Sequence, residues 1–211
     1  MLDAQGLQGP AVRLDTGWFL IKHVDEMVCF VPTGDVDRPH RVLVPSTAAM
    51  VELLEEWAEQ GLGDAPLLQP FEEEATVASL LADGELMEHN RALESERIAP
   101  NVEILKEAFS LEEADFIRIP ALVSERGTSI FPNMVNSVVL NGHFLVSDPH
   151  GPEVDGEDLL QQHVRSLLED LPLTIHFVDD RRYHMGSGNT HCATNVLREG
   201  FDEPWWEHTG R

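Results

Sequence analysis

A mixed α/β fold assembled from repeated strand-strand-helix units is what this sequence predicts, on three observations. Asn141-Gly142 splits two apolar runs in SVVLNGHFLVSD at 137 to 148; helical stripes follow strand-like runs in both halves of the chain; and DFIRIPALV and LTIHFVD return as strands after those helices. The result is a ββαβ-type unit near the C-terminus and a similar unit near the N-terminus, without a repeat at the level of residues.

Taken in order, WFLIKHVDEMVCFVPT at 18 to 33 is rich in aromatic and β-branched residues and predicts one long strand or a bent pair. RVLVP at 41 to 45 adds another strand. From Ser46, the residues Met50, Leu53, Leu54 and Trp57 recur at helical spacing, and Gly61 supplies the stop. The stretch 61 to 75, with Pro66, Pro70 and the acidic run Glu72 to Glu74, reads as solvated loop. Thr76 caps a helix carrying Val77, Leu80 and Leu81 that continues towards Glu96 despite the cost of Gly84. A shorter helix begins near Asn101 with Ile104, Leu105 and Ala108 on one face, and 115 to 123 alternates as a strand. Asn141-Gly142 suits a type I′ turn because both central residues need positive φ, so 137 to 148 predicts a β-hairpin. Asp155 then caps a helix with the stripe Leu160, Val164, Leu167 and Leu168, and 173 to 179 closes as a strand.

With 211 residues, 42% of them hydrophobic and 25% charged, the chain has the composition of one folded domain. Its 38 Asp+Glu against 14 Lys+Arg give a formal net charge of -24. Such a field repels nucleic-acid phosphates and anionic lipid and attracts cations such as a guanidinium or polyamine, and it equally describes a soluble or salt-adapted surface. Neither nucleic acid nor membrane is expected as a partner. Two cysteines, Cys29 and Cys192, make no disulfide framework, the start MLDAQGLQGP carries no apolar signal segment, and no apolar run approaches 18 residues. A reducing, cytoplasmic setting is the expectation.

Three side chains stand out for chemistry. In KHVDE, His23 and Asp25 share a face if the segment is a strand, with Cα atoms about 6–7 Å apart, close enough to hold a planar cation and move protons beside it; the pair could equally be two polar residues at a strand end. Cys192 follows Gly186, Ser187, Gly188, Asn189 and Thr190, a stretch that favours an exposed turn, where a thiol has the access a nucleophile needs. It could equally be structural. His191 is its neighbour, but on an extended backbone adjacent side chains point apart, so His191 is a poor activating partner and His23 serves only if the fold joins the two ends. Cys29, in VCFV, reads as a core residue. The ten histidines show neither HExxH nor paired CxxC spacing, and Asp148, Asp155, Glu157 and Asp158 do not follow the EF-hand order. No phosphate-cradling glycine motif appears, and Trp205 and Trp206 read as packing anchors for the tail.

LIKHVDEMVCFVP at 20 to 32, SLEEADFIRIPAL and FPNMVNSVVLNGHFLVSDPHGP within 110 to 152, and THCATNVLRE followed by PWW at 190 to 206 together resemble the C-terminal part of the catalytic domain of the protein-arginine deiminases. The resemblance covers most of the chain and implies that residues 1–211 are that portion of the domain. It implies a pentein fold, a pseudo-fivefold propeller of ββαβ modules, incomplete in this chain. It also implies hydrolysis of peptidyl-arginine to peptidyl-citrulline and ammonia, with an arginine-containing protein or peptide as partner. Cys192 matches the family nucleophile that forms a thiouronium, His23 the proton-transferring histidine and Asp25 a carboxylate that grips the guanidinium. In the family a second such aspartate and the calcium ligands precede the HxD motif, and 22 residues precede His23 here, so calcium is implied by the family while its ligand positions are not in this chain. The N-terminal immunoglobulin-like domains are absent likewise, and Met185 to Gly188 lacks the basic residues some members place before the nucleophile turn. Two other readings follow from those departures: a catalytically impaired, truncated deiminase acting as an acidic binding module, and a relative acting on a small guanidine as deiminase or amidinotransferase. Open sheet edges would favour self-association.

Overall fold

A computed structural model describes residues 10–69, 75–200 and 202. The acidic run Glu72 to Glu74 and the tail tryptophans Trp205 and Trp206 lie outside the described residues. Two three-stranded sheets carry the fold. In the first, β1 (Cys29–Pro32) pairs antiparallel with β2 (His40–Ser46), and β2 pairs parallel with β3 (Phe116–Pro120). In the second, β4 (Val138–Leu140) pairs antiparallel with β5 (His143–Ser147), and β5 pairs parallel with β8 (Thr174–Val178). Both modules are therefore ββαβ, as the segment order predicts, with helices in the parallel crossover.

The crossover of the first module holds α1 (Thr47–Glu59), α2 (Val77–Ala82), α3 (Gly84–Leu93) and α4 (Ala99–Phe109). Strand β2 is buried almost end to end, and its alternation explains why: Leu43 faces one hydrophobic cluster with Leu54 and Ile117, whereas Val42 and Val44 face a second with Ile98, Val102 and Leu105. Sheet one is thus covered on both faces, which makes a strand read as a continuous apolar run. The first cluster also takes Phe144 and Val146 of β5 and Leu160 and Val164 of α5 (Leu159–Leu167), so one core joins the two modules.

Local signals are realised where chain chemistry alone decides. Ser46 caps α1, its hydroxyl accepting from the Ala49 N–H at 3.1 Å. Thr76 caps α2 with Ser79 returning the bond. Asn141 and Gly142 sit at φ 49° and 80°, the positive pair that a type I′ hairpin demands.

Three expectations need correction. Residues 18 to 28 form no strand: Lys22 has φ 67°, and Val24–Glu26 is a single 3-10 turn in which the Glu26 carboxylate accepts from the His23 N–H at 2.8 Å. Phe19 and Met27 supply apolar signal because they are buried in the second cluster, not because they line a ladder. The helix from Thr76 does not run to Glu96. Asp83 breaks it and caps α3, accepting from the Leu86 N–H at 3.0 Å, and α3 then passes through a π turn at Glu94–Ile98 straight into α4. Nor does Asp155 cap α5: it lies at φ 53° in the turn between β6 (Glu153–Val154) and β7 (Glu157–Asp158), and Asp158 is the cap, accepting from the Gln161 N–H at 2.9 Å.

The segment before His23 is strapped down by Gly127. Its carbonyl accepts from the Leu20 N–H at 2.9 Å, its φ is +80°, and a Cβ there would stand 2.4 Å from the Trp18 carbonyl oxygen. Gly127→Ala combines positive-φ strain with a backbone clash and is expected to cost about 3 kcal/mol, lowering Tm by about 6–12 °C in a calorimetric scan. An unchanged Tm would mean the strap is dispensable.

Candidate active site

The site is built from three chain segments distant in sequence. The first is the 3-10 turn, which presents His23 and Asp25. The second is FPNMVN, a loop reached through Asn90 of α3, whose side chain accepts from the Val123 N–H and donates to the Val123 carbonyl, both at 2.9 Å. Within it, Asn133 donates to the Glu26 carbonyl at 3.0 Å and Asn136 donates to the Asp25 carbonyl at 3.3 Å. These two amides hold the 3-10 turn by its backbone.

The third segment is the turn from Asn189 to Thr194 that follows α6 (Arg181–His184). Ala193 N–H donates to the Asn189 carbonyl at 3.0 Å and Thr194 N–H to the His191 carbonyl at 3.1 Å, so this stretch curls rather than extends. Its start is anchored from below. Asp180, 4% exposed, accepts through one carboxylate oxygen from Ser147 Oγ at 2.6 Å, Thr190 Oγ1 at 3.1 Å and Asn189 Nδ2 at 3.3 Å. Asn189 in turn accepts from the Asn133 N–H at 3.1 Å. The loop fixes the rest: Asn136 Oδ1 accepts from the Cys192 N–H at 3.2 Å and the Asn136 carbonyl from the His191 N–H at 3.0 Å.

By this route the fold joins residues at the two ends of the chain. One donor or acceptor atom each of His23, Asp25 and Cys192 lies within 4.8 Å of the others. The Cys192 thiol donates to Asp25 Oδ2 at 3.6 Å, and His191 Nδ1 meets the same oxygen at 2.6 Å. Asp25 Oδ1 is buried and has no hydrogen-bond partner. All three residues singled out in the sequence are therefore brought together, although on a turn and not on a strand. His191 was missed as a site residue because the extended-backbone parity assumed for it fails in a turn. Asn136 and Asp180 were missed as well, and the crowding of asparagines in FPNMVN and GNTH was the one signal that could have found the first.

Electrostatics set the resting state. Partial burial of its sulfur pushes the Cys192 thiol above its ordinary range, and the Asp25 charge adds to the rise; hydrogen bonds from the Asn189 backbone and the Asn136 side chain pull the other way. The upward pull wins, so the resting group is the protonated thiol. Cys29 differs in kind: burial alone pushes its thiol up to about 12. Iodoacetamide near pH 8 is expected to modify Cys192 in the native protein and to reach Cys29 only in denaturant, which peptide mapping reads directly. Equal labelling of both in the native state would contradict the raised thiol of half-buried Cys29.

Calcium takes six to eight oxygen ligands. Among the described residues, the group of three or more convergent His, Cys, Asp and Glu donors is His23, Asp25 and Cys192, whose imidazole and sulfur do not suit that ion. The residues here do not fit a calcium site. A cavity of about 710 Å³ lined by Leu68, Leu86, Arg126 and Ile130 lies elsewhere and includes none of the three. Among the described residues, no helix is long and apolar enough to cross a membrane.

Comparison with known proteins gives this geometry its setting. The family model described as protein-arginine deiminase matches residues 1–207. Protein-arginine deiminase type-4 of Mus musculus is 38% identical over 97% of this chain and 32% of its own length. Type-1 of Mus musculus is 38% identical, over 97% of this chain and 31% of the relative. Type-3 of Homo sapiens is also 38% identical, over 97% and 32% respectively. The chain thus spans about a third of the length of the curated relatives it matches.

Proposed function

This chain belongs to the protein-arginine deiminase family, and from that premise we propose that it carries the thiol side of a site that hydrolyses peptidyl-arginine to peptidyl-citrulline and ammonia. The observation that carries the proposal is the convergence of His23, Asp25 and Cys192 within 4.8 Å, although Asp25 and Cys192 stand 167 residues apart in sequence. Asp25 accepts guanidinium N–H groups through Oδ2, the oxygen now turned to Cys192 and His191. Burial is the main cause that holds the thiol up and the Asp25 charge adds to it, so a cation bound against Asp25 removes that added part and shifts the thiol towards thiolate.

The chemistry balances with this chain's residues and one water. As the Cys192 sulfur attacks the guanidinium carbon, its proton passes through neutral His23 to the departing nitrogen, the C–N bond breaks, and ammonia leaves a thiouronium on sulfur with His23 neutral again. Water, deprotonated by His23, then adds to that carbon, the C–S bond breaks, the thiol is restored and the ureido group of citrulline remains. The net charge of -24 draws cationic peptides towards the site.

The two ββαβ modules are part of a pentein-type propeller that is incomplete in this chain, and residues 1–211 are the C-terminal portion of the catalytic domain. Open sheet edges make self-association the expected behaviour. The setting is cytoplasmic, and calcium, where the activity depends on it, binds outside the residues described above. A second reading is a binding module without turnover, favoured by Asp25 being, among the described residues, the carboxylate that converges with Cys192 and His23. Incubation with an arginine-containing peptide, free arginine and agmatine, each with and without calcium, separates these. Citrulline and ammonia from the peptide support the proposal. Turnover of the small guanidines alone would replace the substrate class, and binding of the peptide without any product would favour the module.

A further inference from the structure

We infer that Asn136 is the positioning residue that holds the two halves of the candidate site in register, resting here on the deiminase reading of that site. Three of its four polar groups are divided between the halves, the backbone N–H alone staying within the loop on the Asn133 carbonyl. The side-chain Nδ2 donates to the Asp25 carbonyl at 3.3 Å, the side-chain Oδ1 accepts from the Cys192 N–H at 3.2 Å, and the backbone carbonyl accepts from the His191 N–H at 3.0 Å. Asn136 is 1% exposed, so these bonds form without competition from water and an amide there cannot be left unpaired cheaply.

No other described side chain bonds to the backbone of both halves. Asn133 bonds to the Glu26 carbonyl and to the backbone N–H of Val135, and Asp180 grips only the start of the nucleophile turn. An amide is the group this position needs, because it must donate towards a carbonyl and accept from an N–H at once. A carboxylate could accept but not donate, and would place a negative charge beside the sulfur. The Asn136 side chain also draws the Cys192 thiol downwards, against the upward pull of burial and Asp25.

The test uses the whole chain and reads the thiol directly. Second-order rates of Cys192 alkylation by iodoacetamide are measured across pH 6 to 10 for the wild type, Asn136→Ala and Asn136→Asp, with the second, near-isosteric variant deciding if the alanine variant does not fold. Both variants are expected to alkylate about tenfold more slowly at neutral pH, with the pH midpoint moved upwards, and more so for Asn136→Asp. On an arginine-containing peptide the loss falls mainly on kcat, while the near-ultraviolet circular dichroism of the folded variant matches the wild type. Unchanged alkylation profiles in a folded variant would overturn the inference. Because alkylation needs no turnover, failure of the deiminase reading leaves this readout intact and is recognised separately, by absence of citrulline from the wild type.

Discussion

Replacing Cys192 by alanine is expected to lower citrulline formation from an arginine-containing peptide by about a millionfold, the scale on which loss of a covalent nucleophile acts in hydrolases. A guanidinium carbon is a poor electrophile, and among the described residues no second nucleophile is on offer beside His23 and Asp25: His191 is held on Asp25 at 2.6 Å, and Cys29 is half-buried with its thiol pushed up to about 12. The substitution removes only a sulfur from an exposed side chain, so the fold is expected to persist with an unchanged Tm. Peptide binding should persist too, because Asp25 remains. Loss of turnover with retained binding, measured by citrulline release and calorimetric titration, is the expected pair of results; residual turnover near the wild-type rate would remove Cys192 from the chemistry.

Asp25→Asn is expected to act in opposite directions on two readouts. In the proposed reaction Asp25 supplies the charge that pairs with the guanidinium, and truncating one member of a hydrogen-bonded charge pair is expected to lower kcat/KM by about a hundred- to a thousandfold. The same carboxylate raises the Cys192 thiol both through its charge and by accepting the S–H at 3.6 Å. Its removal therefore lets the thiol fall towards its ordinary range, increases the thiolate fraction near pH 7 and speeds iodoacetamide alkylation of Cys192. Activity falls while reactivity rises. A merely damaged site would lose both, so a parallel fall of the two rates would contradict the role given to Asp25.

How far the sequence reaches is clearest at particular residues. Thr76 and Asn141-Gly142 were legible because a cap or a tight turn is decided by the residue that makes it, and Ser46 was legible as the point where helical spacing begins. Strands β2, β3 and β8 were legible because apolar runs of that length bounded by turn residues have few other uses. The stretch 18 to 28 misled for a physical reason: Phe19 and Met27 are buried by a strapped loop, and periodicity cannot distinguish burial under a loop from burial in a ladder. Asp155 and Asp158 both look like caps, and only the small hairpin between them selects the second.

The candidate site divides in the same way. Cys192, His23 and Asp25 were found through residue chemistry and through motif resemblance, yet their meeting depends on tertiary contacts that no local pattern encodes. Asn136, Asn133 and Asp180 make those contacts through amide and carboxylate bonds to backbone and side chains far away in sequence. Such residues look like ordinary loop polars until the fold shows what they hold. His191 was hidden by the assumption of an extended backbone where the chain turns.

The central claim is that Cys192 becomes covalently bound to the substrate carbon during turnover. Protein quenched in acid while turning over an arginine-containing peptide, then digested and mapped by mass spectrometry, tests it most directly. The predicted result is an adduct on the peptide containing Cys192, with the mass of the substrate less ammonia, that disappears as citrulline accumulates. Citrulline formed while Cys192 stays unmodified, or a folded protein giving neither adduct nor citrulline, would contradict it.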